Sequence, residues 1–152
     1  MHTHFTNSFL ASDGFGWSRM LRPPMEVNDF MWLTSGASTY KLGTVELIGI
    51  AKHESPVAFA SLRHRSSPNL DTRETRALTA FETDAINGLR AGTDVITETR
   101  RNAHTVVGAL RAQQACLECH NTFKIGDVLG ALSYRLDAAQ LPSSRRDHEG
   151  ID

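Results

Sequence analysis

Cys116-Leu117-Glu118-Cys119-His120 is the stretch of this chain whose residue types and spacing can do chemistry. Two cysteines separated by two residues and followed at once by a histidine form the attachment signature of c-type haem. Each thiol can add to one vinyl group of a porphyrin, and two intervening residues let both sulfurs reach the same macrocycle edge. The histidine is then carried beneath the ring, where its imidazole can bind iron from the proximal side. The chain has only these two cysteines, so none is left over for a further disulfide or for a four-cysteine zinc site.

Two other chemistries use cysteines at this spacing. A redox Cys-x-x-Cys of thioredoxin type follows a strand in a βαβ context and does not need the adjoining histidine. A structural zinc site could take Cys116, Cys119 and two of the seven histidines. No downstream pair has finger spacing, however, and His2 and His4 stand too close together for it. Covalent haem is the reading whose signature the adjoining histidine completes.

A haem makes further demands on the chain. Its iron has a second axial position, for which His53, His64, His104, Met20 and Met25 are candidates by residue type, an open position being the alternative. His53 has the best local case, because it ends an expected strand on the face that holds Val45 and Leu47 and so can point inward. The two propionates need cations or water. Arg111 before the motif and Lys124 after it are the nearest candidates by sequence, with Arg63, Arg65 and Arg135 further off.

The elements that must position these groups are legible from periodicity. Residues 44–53 alternate as a strand, with Val45, Leu47, Gly49, Ala51 and His53 on one face. Glu54-Ser55-Pro56 turns the chain and residues 57–62 return as a second strand. A helix should follow, capped at Asp71 or Thr72 with Glu74 completing a capping box, carrying Leu78, Phe81, Ala85 and Leu89 as one apolar stripe and stopping at Gly92. Strands are expected at 94–100, at 105–112 leading into the motif, and at 128–136 after it, with a short helix carrying the cysteines. Gly108 and Gly130 fall inside strands, as glycines do where another group approaches closely. The sum is an α+β domain on one antiparallel sheet of about five strands with flanking helices.

At its two ends the chain reads differently. Residues 1–42 hold a dense set of large apolar side chains around the turn-rich Asp13-Gly14-Phe15-Gly16-Trp17 and Pro23-Pro24, and are expected to form an arm packed on a core domain at 43–138. Residues 139–152 are a polar tail. The length suits one domain. A formal net charge of −1 and a pI near 6.6 argue against a nucleic-acid or anionic-membrane partner recruited by charge, and no apolar run approaches membrane-spanning length. Covalent haem attachment takes place outside the cytoplasm, so a periplasmic or other extracytoplasmic location is expected. The first residues lack a basic region followed by an apolar one, so the sequence reads as a mature or truncated chain, or as one domain of a longer protein.

Leu110-Arg111-Ala112, the Cys-x-x-Cys-His motif, and Gly126-Asp127-Val128-Leu129-Gly130-Ala131-Leu132-Ser133 together resemble the single-haem c-type domains with a PAS-like fold. These occur as exported bacterial proteins and as sensor inputs of membrane signalling proteins. The resemblance covers roughly residues 105–136 and fits the upstream hairpin and helix more loosely. It implies one covalent haem c on Cys116 and Cys119 with His120 as proximal ligand. Three functions can follow. The first is a monohaem cytochrome passing single electrons to a redox partner protein. The second is a redox or gas sensor module of a larger signalling protein, responding to a small diatomic ligand. The third is a peroxidase-like enzyme, which would need a distal base such as His53 beside Glu54, or His104 beside Arg100 or Arg101.

Overall fold

A computed structural model describes residues 1–10, 32–35, 38–59, 74–101 and 103–138, and these build an antiparallel sheet with a helix on each face. The elements in order are α1 (His2–Leu10), β1 (Trp32–Ser35), β2 (Ser38–Gly49), β3 (Val57–Phe59), β4 (Thr75–Arg76), α2 (Ala80–Arg90), β5 (Val95–Arg100), β6 (Ala103–Arg111), a 3₁₀ turn (Gln114–Glu118) and β7 (Val128–Ala138). The sheet order is β4-β3-β2-β7-β6-β5, and β1 pairs with the opening residues of β2. Every described pairing is antiparallel. The α+β class and the antiparallel sheet are as expected.

The five expected strands are β2, β3, β5, β6 and β7, to which the structure adds β1 and β4. β2 starts at Ser38, so the boundary expected at 42/43 falls inside a strand. Alternation hides this because the register slips between Leu42 and Thr44 against β7. Gly43 sits at that bulge, where a Cβ would come within 2.6 Å of Asp137 Oδ2 and 3.2 Å of the Arg135 carbonyl oxygen. At its other end β2 stops at Gly49, four residues before His53. Residues 60–62 of the second expected strand lie outside the described residues, as do Asp71 and Thr72.

Helix α2 starts later than its first possible capping box. Thr79 is the N-cap: its hydroxyl accepts from the Glu82 N–H at 3.2 Å, and the Glu82 carboxylate accepts from the Thr79 N–H at 2.9 Å. The residues before it are used elsewhere, Thr75 and Arg76 pairing with Phe59 and Ala58. The helix ends as expected at Gly92. This residue has φ +111°, donates to the Leu89 carbonyl at 3.1 Å and is followed by a Thr93 bond to Gly88 at 3.2 Å, which is a Schellman ending.

The core has two halves, one on each face of the sheet. Ala85, Ile86 and Leu89 of α2, with Leu78 and Phe81 at the margin, pack on Ile48, Ala58, Val107, Ala109 and Ala131. On the opposite face Phe5 of α1 packs with Leu42, Val45, Leu47, Phe59, Val106, Leu110, Leu132 and Tyr134. Both sets follow from the two-residue period of the strands, which sends alternate side chains to opposite faces.

Candidate functional site

The motif sits on the loop between β6 and β7, and the neck of that loop is closed by hydrogen bonds. Arg111 and Val128 are register partners, so the chain leaves and re-enters the sheet at one point. The Ala112 N–H donates to the Asp127 carbonyl at 2.8 Å and the Gly126 N–H to the Ala112 carbonyl at 2.9 Å. Gly126 holds φ +92°, a conformation that only glycine adopts without strain.

Within the loop the motif residues wind into a tight turn. Cys116 N–H donates to the Gln113 carbonyl at 2.9 Å, while Cys119 and His120 N–H both donate to the Cys116 carbonyl, at 3.3 and 3.0 Å. Cys116 and Cys119, three apart, fall on one side of this 3₁₀ turn, and His120 follows directly at its end. Both thiols are free, Cys116 half-buried and Cys119 exposed. The half-buried His120 ring stands edge-on to Phe123 with centroids 6.0 Å apart. A donor set of two free thiols and one imidazole carried by one turn fits covalent haem attachment.

The structure gives Arg111 a different set of partners from a propionate. Its Nε donates to Asp94 Oδ1 at 2.7 Å, Nη1 to the Gly126 carbonyl at 3.0 Å, and Nη2 to the Leu89 and Thr93 carbonyls at 3.2 and 3.0 Å. One guanidinium therefore ties the loop neck to the last turn of α2 at Leu89 and to Thr93 just beyond it. Lys124 is exposed on the loop, its N–H donating to Asp127 Oδ2 at 2.8 Å.

His53 lies at the motif end of the sheet. The end of β2 pairs with the start of β7 through Gly49 and Gly130, and the Ala51 N–H donates to the Leu129 carbonyl at 3.0 Å. His53 is in the turn after β2 rather than on the strand, and it is exposed rather than inward-pointing, because β2 stops before it can continue the alternation. Its ring still leans on the sheet: a Cβ at Gly49 would come within 2.8 Å of His53 Cδ2 and Nε2 and 2.9 Å of Phe59 Cε2. The rings of His53 and Phe59 are 5.6 Å apart, edge to face.

His104 is placed apart from the motif. It is the second residue of β6, seven positions before Arg111, or about 23 Å along the strand. There Nδ1 lies 2.7 Å from Thr99 Oγ1 and the ring packs edge-on against Tyr40. Nearby, Arg100 pairs with Glu98 at 2.7 Å, and Arg135, also offered as a propionate partner, pairs with Asp137 at 2.9 Å. Met20, Met25, Arg63, His64 and Arg65 lie outside the described residues, as does the 139–152 tail.

Two groups that sequence reasoning did not single out have strongly shaped environments. His2 of α1 stands on Gly108, at a place where any Cβ would strike its ring. Its Nε2 lies 3.0 Å from the Ala109 carbonyl, which can only accept, so Nε2 carries the proton and Nδ1 accepts from the Tyr134 hydroxyl at 3.0 Å. Burial lowers the pKa of His2 and raises that of Tyr134. Gly108 thus serves the packing of α1. The second group is Glu82, a buried carboxylate that accepts a bidentate pair from Arg76 at 2.8 Å and a hydroxyl from Ser133 at 2.9 Å. Arg76 also contacts Glu46. Desolvation alone would raise the Glu82 pKa, but the bonds from Arg76, Thr79 and Ser133 outweigh it and hold it at about 2. The Thr79–Glu82 spacing could have been read as a capping box. No local pattern signals His2.

Among the described residues no group of three His, Cys, Asp or Glu side chains is placed to hold a metal ion, and no helix is long and apolar enough to cross a membrane. No family model, curated protein or solved structure matches this chain.

Proposed function

We propose that this protein is a periplasmic or otherwise extracytoplasmic monohaem c-type cytochrome, with haem attached through Cys116 and Cys119 and His120 as the proximal iron ligand, acting in one-electron transfer with a redox partner protein. The observation that carries this is the gathering of Cys116, Cys119 and His120 in one hydrogen-bonded turn with both thiols free. A bound haem would supply the redox-active iron. The chain's own part is to hold that turn at a fixed place. The Ala112–Asp127 and Ala112–Gly126 bonds close the loop, and Arg111 anchors its neck to α2. A loop neck held by these bonds suits electron transfer, which favours a site that changes little between oxidation states.

A second reading, a haem-based sensor module of PAS-like fold, is supported by the sheet. β2 and β7, far apart in sequence, are central neighbours, and α2 covers one face between the β2–β3 and β5–β6 hairpins in chain order. In that reading a diatomic ligand or the iron's oxidation state is the input.

The test is production of the full chain with a haem-maturation system, followed by a denaturing gel stained for haem and optical spectra. Haem retained on the gel in the wild type, and lost in Cys116→Ala/Cys119→Ala, supports covalent attachment. A colourless protein with two free thiols under the same conditions overturns it.

A further inference from the structure

We propose that His53 is the distal ligand of the haem iron, so that the centre is six-coordinate with two histidines; this rests on the covalent-haem reading above. The placement of the turn after β2 is the first reason. Gly49 pairs with Gly130, and the Ala51–Leu129 bond fastens residues 50–53 beside the start of β7, the strand that emerges from the motif loop. The two histidines are therefore carried by neighbouring connections at one end of one sheet.

The seat beneath His53 is the second reason. Gly49 and Gly130 are register partners whose missing side chains leave that end of the sheet low: a Cβ on Gly49 would meet the His53 and Phe59 rings, and one on Gly130 would lie 2.9 Å from the Ile48 carbonyl oxygen. Phe59 stands edge-on to the imidazole. The ring nitrogens of His53 have no hydrogen-bond partner among the described residues, whereas both ring nitrogens of His2 are engaged and one of His104 is held by Thr99. An exposed imidazole with neither nitrogen hydrogen-bonded among the described residues, its Nε2 edge seated on Gly49 and its Nδ1 left open, at the motif end of the sheet, has what an axial ligand needs. His104, at the opposite end of β6, does not.

The experiment uses the full chain with haem attached, and reads coordination rather than activity. Ferric wild type should be low-spin by electron paramagnetic resonance at low temperature, and the ferrous Soret band should be unmoved by carbon monoxide. His53→Ala should become high-spin in the ferric state and bind carbon monoxide when reduced, and added imidazole should restore the low-spin spectrum. His53→Met should stay low-spin but gain the near-infrared band of methionine–iron coordination. His104→Ala should match the wild type throughout. A high-spin wild type, or a His53→Ala protein that stays low-spin with wild-type signals, overturns the assignment. Far-ultraviolet circular dichroism identifies a variant that has simply unfolded, and the His53→Met spectrum then decides. A chain with no haem on the denaturing gel refutes the underlying reading instead, and the inference falls with it.

Discussion

Arg111 Nη1 donates to the carbonyl of Gly126 at 3.0 Å, bonding the two sides of the motif loop where it leaves the sheet. The same guanidinium reaches Leu89 and Thr93 behind it, so the loop neck and the end of α2 share one anchor. The Asp94 carboxylate also touches it but is 75% exposed, and an ion pair in water contributes little. Replacing Arg111 with Gln should therefore lower the unfolding free energy by about 2 kcal/mol, from lost carbonyl bonds. Asp94→Asn should cost less than about 0.5 kcal/mol. Urea melts of the two variants check this, and equal losses would mean that the ion pair rather than the carbonyl bonds is what matters.

Glu82 makes stability acid-sensitive. Its pKa is lowered from 4.5 to about 2 in the folded protein. Above pH 4.5 the carboxylate is charged in both states, and the folded network contributes in full. Between 4.5 and 2 the unfolded chain takes up a proton that the folded one refuses, so stability falls as pH falls. The loss should be about 3 kcal/mol. Glu82→Gln should flatten that part of the profile while lowering stability at pH 7, and chemical denaturation from pH 2 to 7 measures both. Glu82→Ala should be worse than Gln, at about 3–5 kcal/mol, because it leaves Arg76 beside a buried void with its main partner gone.

Helix α1 should loosen on mild acidification. His2 is half-buried as the neutral imidazole and its pKa lies below the usual 6.5. Both states are neutral above pH 6.5. Below it, protonation favours any state in which α1 has left the sheet. The groups around it are the Tyr134 hydroxyl, the Ala109 carbonyl, the Thr6 hydroxyl, the Met1 amine and, at longer range, Asp94. Amide hydrogen exchange over residues 2–10 should accelerate between pH 7 and 5 ahead of exchange in β6 and β7. In His2→Gln that pH dependence should vanish.

Two glycine substitutions should part company. In Gly130→Ala the new methyl meets the Ile48 backbone oxygen at 2.9 Å, which cannot move without breaking β2–β7 pairing, and a cost of about 1–3 kcal/mol is expected. In Gly88→Ala the obstacle is the tip of the Ile96 side chain, which can rotate, and the helix gains close to 1 kcal/mol in propensity. Thermal melts should show a marked loss for the first and little change for the second.

Much of the scaffold was legible residue by residue. The five strands and the apolar stripe of α2 follow from side chains alternating or recurring at short spacing, and burial rewards that spacing wherever the element lies. Cys116, Cys119 and His120 could be picked out for the same reason, since their relation is set within a single turn. The ends of elements were less legible. Asp71–Glu74 and Thr79–Glu82 are equivalent capping signals on paper. The chain uses the second, whose carboxylate also gains Arg76 and Ser133, the latter from the far end of the chain.

Tertiary structure alone decided which distant residues share an end of the sheet. By residue type His53 and His104 are the same candidate, but the register of β2, β7 and β6 sets one at the motif end of the sheet and the other a strand length away. Arg111 reads as a free cation near the motif until the C-terminus of α2 arrives to use it, and His2 reads as nothing until Gly108 and Tyr134 are brought beneath it. Periodicity reports which face a side chain takes, a property of neighbours in sequence. The partners on that face depend on strand order and register, which the packing of the whole sheet determines.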